Sequence, residues 1–222
     1  MMDALFRNIV WPEIGQALLD TLLMLGASML LTVIAGVPLG VLLFLTGPGQ
    51  AAESKLLNRT LGVVVNILRS IPFVILLILM IPFTILVMGT SLGVVGAVPP
   101  LVVGSAPFYA RLVQGALRDI PQATIEAAKA MGATRLQLIF KVLMPEALPS
   151  LVSGATVTAI ALVSFTAMAG VVGAGGLGDL AIRYGYQRFQ SDVMFVTVAL
   201  LVILVQLIQW FGDWLSRRID HR

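Results

Sequence analysis

The chain has 222 residues, of which 59% are hydrophobic and 11% charged, with a mean hydropathy of +1.00. A soluble domain sits nearer half apolar and a quarter charged, so this balance excludes a water-solvated globule and predicts an all-α polytopic membrane protein. The formal net charge is +3, and the absence of cysteine excludes disulfides and thiolate metal sites.

The segment from Met1 to Asp20 lacks the basic lead and small-residue cleavage site of a removable signal, so the first apolar run is expected to be a retained anchor. A span needs about 20 apolar residues. The first is expected at 17–46, closed by Gly47-Pro48-Gly49, a strong turn signal. The second is expected at 61–88, with Pro72 kinking or starting its helix and Arg69 snorkelling to the headgroups. A third follows at 94–117, made irregular by Pro99, Pro100 and Pro107, which is tolerated where backbone lines a cavity or packs on protein. The fourth and fifth are expected at 149–172 and 193–215. The whole of 1–222 reads as one membrane domain, without repeat or linker.

Five spans place the termini on opposite sides, and Lys and Arg placement chooses which. One side collects Lys55, Arg59, Arg111, Arg118, Lys129, Arg135, Lys141, Arg217, Arg218 and Arg222. The other holds Arg7, Arg183 and Arg188 beside Asp3, Glu13, Asp20, Asp179 and Asp192. The N-terminus is therefore expected outside and the C-terminus, with its solvated His221, in the cytoplasm.

Between the third and fourth spans lies an amphipathic, charged insert at 121–145. Pro121 suits a first helical turn, and 122–131 is dense in helix formers. Glu126 lies near the positive end of that helix. Gly132 permits a reversal with positive φ. Leu136, Ile139, Phe140 and Leu143 then form an apolar stripe before Pro145. A helix–turn–helix lying flat on the cytoplasmic surface is expected.

The register of Glu126-Ala127-Ala128, Gly132 and Pro145 resembles the cytoplasmic "EAA" loop of ABC importer permeases. The resemblance implies a type I importer permease fold, in which Ala127, Ala128 and Gly132 seat the loop in a cleft on an ATPase and Glu126 meets a basic group there. Arg69-Ser-Ile-Pro-Phe73, Met80-Ile-Pro-Phe-Thr84, Gly89-Thr-Ser-Leu-Gly93, Gly104-Ser-Ala-Pro-Phe108 and Gly173-Ala-Gly-Gly-Leu-Gly178 are similar to the methionine-importer permease family, MetI, over nearly the whole length. That similarity implies a homodimer of this chain, two ATPase subunits that bind ATP and Mg, and an external methionine-binding protein, periplasmic or lipoprotein. It also implies residence in the bacterial cytoplasmic (inner) membrane, with methionine and related amino acids as cargo. The last stretch discriminates least, since osmoprotectant and phosphonate permeases carry similar glycine runs.

In the fourth span Thr156, Thr158, Ser164, Thr166 and Met168 sit among small residues. Intramembrane polar groups face the bundle or a watery path. Ser164 and Thr166 are therefore expected to flank the pathway, and the flexible thioether of Met168 to gate it. Gly173, Gly175, Gly176 and Gly178 are expected to turn the chain at the outer face, where the binding protein docks; no strand precedes them, so they are not a dinucleotide loop. Gln206 and Gln209, three apart, are expected to bond across a helix interface. No phosphate-binding Gly-x-x-x-x-Gly-Lys-Ser/Thr run, catalytic constellation, metal set or nucleic-acid motif stands out, and ATP must be hydrolysed by a partner. No span centre offers the carboxylate relay of an ion-coupled secondary transporter.

Overall fold

The computed structural model describes residues 9–220; Asp3, Arg7, His221 and Arg222 lie outside them. Among the described residues all regular structure is helical. Four helices are long and apolar enough to cross a bilayer, and a bent pair makes five if counted as one broken span.

Helix α1 (Trp11–Leu45) has 35 residues, about 52 Å at 1.5 Å per residue, longer than a hydrocarbon core of roughly 30 Å. It starts ahead of the expected Ala17 because Pro12 falls in the first turn, where no amide is needed. Its buried face repeats every fourth residue as Ser28, Thr32, Gly36 and Gly40. A Cβ on Gly40 would lie 2.5 Å from Val113 Cβ and 2.6 Å from the Ala110 carbonyl oxygen. One on Gly36 would lie 2.9 Å from the Tyr109 ring. The backbones of α1 and α5 (Gly93–Arg118) thus approach through small residues, the contact that substitutes for hydrophobic drive inside lipid.

The second expected span is not one helix. It is divided into α2 (Lys55–Ser70), α3 (Phe73–Leu79) and α4 (Ile81–Met88). Ile71 is pushed to ψ 124 by the ring of Pro72, so α2 ends there and meets α3 at 102°. Pro82 lies at the start of α4, where it withholds the amide that would have continued α3. In contrast, α5 remains helical through Pro99, Pro100 and Pro107, and the irregularity expected from them does not interrupt it.

Helix α6 (Gln122–Ala130) is short. Helix α7 (Arg135–Gly170) has 36 residues and passes through both Pro145 and Pro149, so these prolines neither end one helix nor start the next. Its π turn, Leu138–Leu143, gives the reason: Met144 donates to the Ile139 carbonyl, and the return to α geometry falls at Pro145, which has no amide to place. Helix α8 (Gly176–Leu180) continues as a π turn over Ala181–Tyr186, and α9 (Ser191–Ile219) packs along α7.

Replacing Gly40 with leucine is expected to force α1 from α5, destabilising the protein by about 1–3 kcal/mol or more, as overpacking does. Gly26 has open space where its Cβ would go. Thermal unfolding in detergent should therefore show a clear drop in Tm for Gly40→Leu and none for Gly26→Ala.

Candidate functional site

The hairpin of α6 and the start of α7 is built by two local devices. Pro121 precedes α6 as its N-cap rather than entering the first turn. At the other end Gly132 takes φ +78 and donates to the Lys129 carbonyl at 3.0 Å, while the Ala133 amide reaches the Ala128 carbonyl at 3.1 Å. This paired closure demands a left-handed residue, and glycine adopts it without a Cβ clash. The chain then enters α7 through a capping box: Gln137 N donates to Thr134 Oγ1 at 3.3 Å, and Thr134 N donates to Gln137 Oε1 at 2.9 Å. The Thr-x-x-Gln spacing was the available signal for it.

Ile125 and Ala128 face inward and pack in one cluster with Leu117, Leu138 and Leu143. Glu126, Ala127 and Gly132 remain exposed, as does Pro145. The expected apolar stripe is divided. Leu143 is buried and Ile139 half-buried, but Leu136 and Phe140 are each 68% exposed, and Met131 is 82% exposed. The π turn shifts the helical register by a residue, which brings Leu138 inward instead. The second arm is also not a separate helix flat on the surface, because it is continuous with the span.

Within the spans, Ser164 and Met168 share a face of α7 and line an open cavity of about 500 Å³ with Val202 and Gln206 of α9 and Gly178 of α8. Thr166 does not join them. It is buried on another face, and its hydroxyl donates to the Val163 carbonyl at 2.8 Å. Thr156 and Thr158 likewise bond back to Val152 and Gly154. The glutamine pair separates too: Gln209 donates to Asp213 Oδ1 at 2.8 Å within α9, leaving Gln206 on the cavity.

A polar seam went unread in the sequence. Arg111 donates to Gln114 Oε1 at 2.7 Å, to the Gly62 carbonyl at 3.1 Å and to Asn66 Oδ1 at 2.9 Å. Gln114 and Asn58 both donate to the Leu43 carbonyl near the end of α1. Helix α2 therefore turns polar groups toward the bundle and leaves Leu56, Val64 and Ile67 outside, the reverse of a helix in water. Arg111 and Gln114, three apart in a span, were the signal. Arg69, exposed in the last turn of α2, sets its guanidinium 5.8 Å over the Phe108 ring.

The glycine turn is mostly internal. Gly173, Gly175 and Gly176 have positive φ, and Gly176 and Gly178 are buried. A Cβ on Gly178 would overlap the Ala167 backbone, so this glycine exists for close packing of α8 on α7. The turn is tied down where Gly93 N donates to the Gly173 carbonyl and Leu177 N to Thr21 Oγ1, each at 2.9 Å. Gly173 and Gly175 are the accessible pair.

Residues 36–221 match the family of the binding-protein-dependent transport system inner membrane component. The chain belongs to this family. As a member, it is a multi-pass inner-membrane permease. It is 50% identical over 222 residues to a methionine import system permease protein, MetP, of Bacillus subtilis, covering all of both chains. Identity to a probable D-methionine transport system permease protein, MetI, of Vibrio cholerae is 53% over 187 residues, 84% of this chain and 83% of the relative. An inward-facing crystal structure of the MetNI methionine ABC transporter contains a chain that superposes with a TM-score of 0.93 at 49% identity, covering 96% of this permease and 100% of that chain.

Thr134→Ala removes the hydroxyl half of the capping box and is expected to cost about 1 kcal/mol locally. Hydrogen exchange should quicken at the start of α7 and leave α5 unchanged.

Proposed function

We propose that this permease is the membrane subunit of an ATP-driven importer carrying methionine, D-methionine and related derivatives included, into the cytoplasm by alternating access. The observation that carries this reading is the MetNI superposition, at 49% identity over 96% of the permease, together with relatives of that substrate class matched end to end. Chemistry on ATP belongs to a separate ATPase, present in two copies, which binds the nucleotide and Mg; two copies of this chain and an external methionine-binding protein complete the assembly. The N-terminus lies outside and the C-terminus in the cytoplasm, as the gathering of Lys129, Arg135 and Lys141 on the hairpin supports.

The ATPase contacts the exposed face of the hairpin: Glu126 and Ala127, the Gly132 turn, and Met131, Leu136 and Phe140. Apolar side chains this exposed outside lipid are supported as a docking face by their contiguity in one turn-stabilised hairpin. Ala128 acts from within, holding α6 against α7. ATP-driven closure displaces the hairpin, and α7 carries that displacement without a break to Ser164 and Met168. Thr166 serves the helix that bears them. Outside, Gly173 and Gly175 offer the turn to the binding protein, with Gly176 and Gly178 fixing its shape.

The test is labelled-methionine uptake into proteoliposomes holding the permease, its ATPase and the binding protein. ATP-dependent uptake blocked by excess methionine, and not by betaine or phosphonate, is the expected result; uptake following an ion gradient without ATP would sink the reading. Gly132→Pro removes both the positive φ and the amide that bonds Lys129, so it should insert normally yet lose ATP-coupled uptake at least tenfold. Wild-type uptake by that variant would count against the hairpin's role.

A further inference from the structure

We propose that the space between α2, α3, α5 and α7 is an intramembrane binding site for one zwitterionic amino acid with a flexible apolar side chain, its carboxylate on Arg69. This rests on the importer reading and goes further by assigning a station to the cargo inside the permease. The space is about 180 Å³ and is bounded by Arg69, Phe73, Gly104, Phe108, Ala161 and Phe165.

Three features define its chemistry. Phe73 and Phe165 stack face to face, with ring centroids 4.4 Å apart and planes 8° from parallel, and Phe108 stands beneath the guanidinium. Gly104 makes room for that stack, since a Cβ there would come within 3.3 Å of Phe73. Among the described residues no carboxylate pairs with Arg69, whereas the neighbouring Arg111 has its terminal nitrogens bound to Gln114, Asn66 and the Gly62 carbonyl. A guanidinium fork that borders a cavity and has no carboxylate beside it matches the carboxylate of a ligand. The aromatic walls beside it suit a thioether or alkyl chain, with sulfur near a ring edge favoured.

The site also has an outlet. Ala161 and Phe165 face it, and Ser164 and Met168 face the larger cavity. These four residues follow helical spacing along one stripe of α7, so a single helix carries both compartments side by side. Movement of α7 by the hairpin therefore changes both walls at once.

The experiment is equilibrium binding of labelled methionine to the permease–ATPase complex in nanodiscs, without external binding protein, with the isolated ATPase subunit assayed in parallel. Saturable binding beyond that of the ATPase is expected, displaced by methionine and norleucine and not by methionine amide, which lacks the carboxylate. Arg69→Gln should weaken it at least tenfold and Arg69→Lys less, with co-purification of the ATPase reporting assembly. Ala161→Phe fills the space without touching the charge and should abolish binding; it decides the matter alone if Arg69→Gln does not assemble. Binding no greater than the ATPase subunit's, equal displacement by the amide, or unchanged affinity in both Arg69→Gln and Ala161→Phe overturns the site. ATP-driven methionine uptake in the complete system would then still stand, so the two readings fail separately.

Discussion

Lipid tails are as apolar as leucine, so helices inside a bilayer gain little by hiding apolar surface from it, and shape has to hold them together. The α1–α5 seam meets that constraint with Ser28, Thr32, Gly36 and Gly40 on one helix and Ser105, Ala106 and Ala110 on the other. Ser105 donates its proton to the Leu101 carbonyl at 2.7 Å, which leaves its oxygen to accept from Thr32. Once α5 is fixed in this way, its other faces organise the rest. Tyr109 reaches across to the Leu151 carbonyl of α7 at 3.2 Å, and Gln114 closes on the Leu43 carbonyl of α1. The end of the bundle against which α6 packs depends on that one close approach.

Proline acts differently in each helix that contains it, and the difference is a matter of neighbours. In α5 three prolines sit on a helix packed against α1 and α7, and it stays unbroken through all of them. At Ile71-Pro72 the proline ring drives Ile71 to ψ 124, and the chain turns through 102°. In α7 the missing amide of Pro145 coincides with a π turn, so the loss is absorbed by a register shift rather than by a break. The shift makes the hairpin and the span one mechanical body. A flat surface helix joined by a loop would have dissipated motion at that joint.

Much of this was legible in the residues. Hydropathy set the helical membrane class, and Gly132 marked the hairpin's turn because it has a local reason for its position. The φ of Gly132 follows from the turn alone. What escaped was whatever depended on a distant neighbour. The stripe from Leu136 to Leu143 was read at 3.6 residues per turn, and the π turn changed which residues face inward. Thr166 and Ser164 look alike in sequence, yet one is buried and bonded to its own helix while the other opens on a cavity. Gly178 resembles a flexible loop glycine, but its role is to let α8 lie against Ala167. Arg69 was read from its nearness to Pro72; the packing that sets it over the Phe108 ring is tertiary.

Arg69 and Arg111 show why stability is an incomplete account of this bundle. A charged side chain at the centre of a spanning helix costs about 2.5–3.5 kcal/mol on insertion scales. For Arg111 the fold offsets that cost with partners from α2 and α5, and those bonds also close the polar face of α2 and orient it. Arg69, on the same helix as Asn66, receives a ring face and an open space instead. If packing were the only requirement, an apolar residue at Arg69 would serve α2 better, since its outer face is already Val64, Ile67 and their neighbours. A cation kept there with no carboxylate paired to it among the described residues makes sense when the missing anion arrives with the cargo.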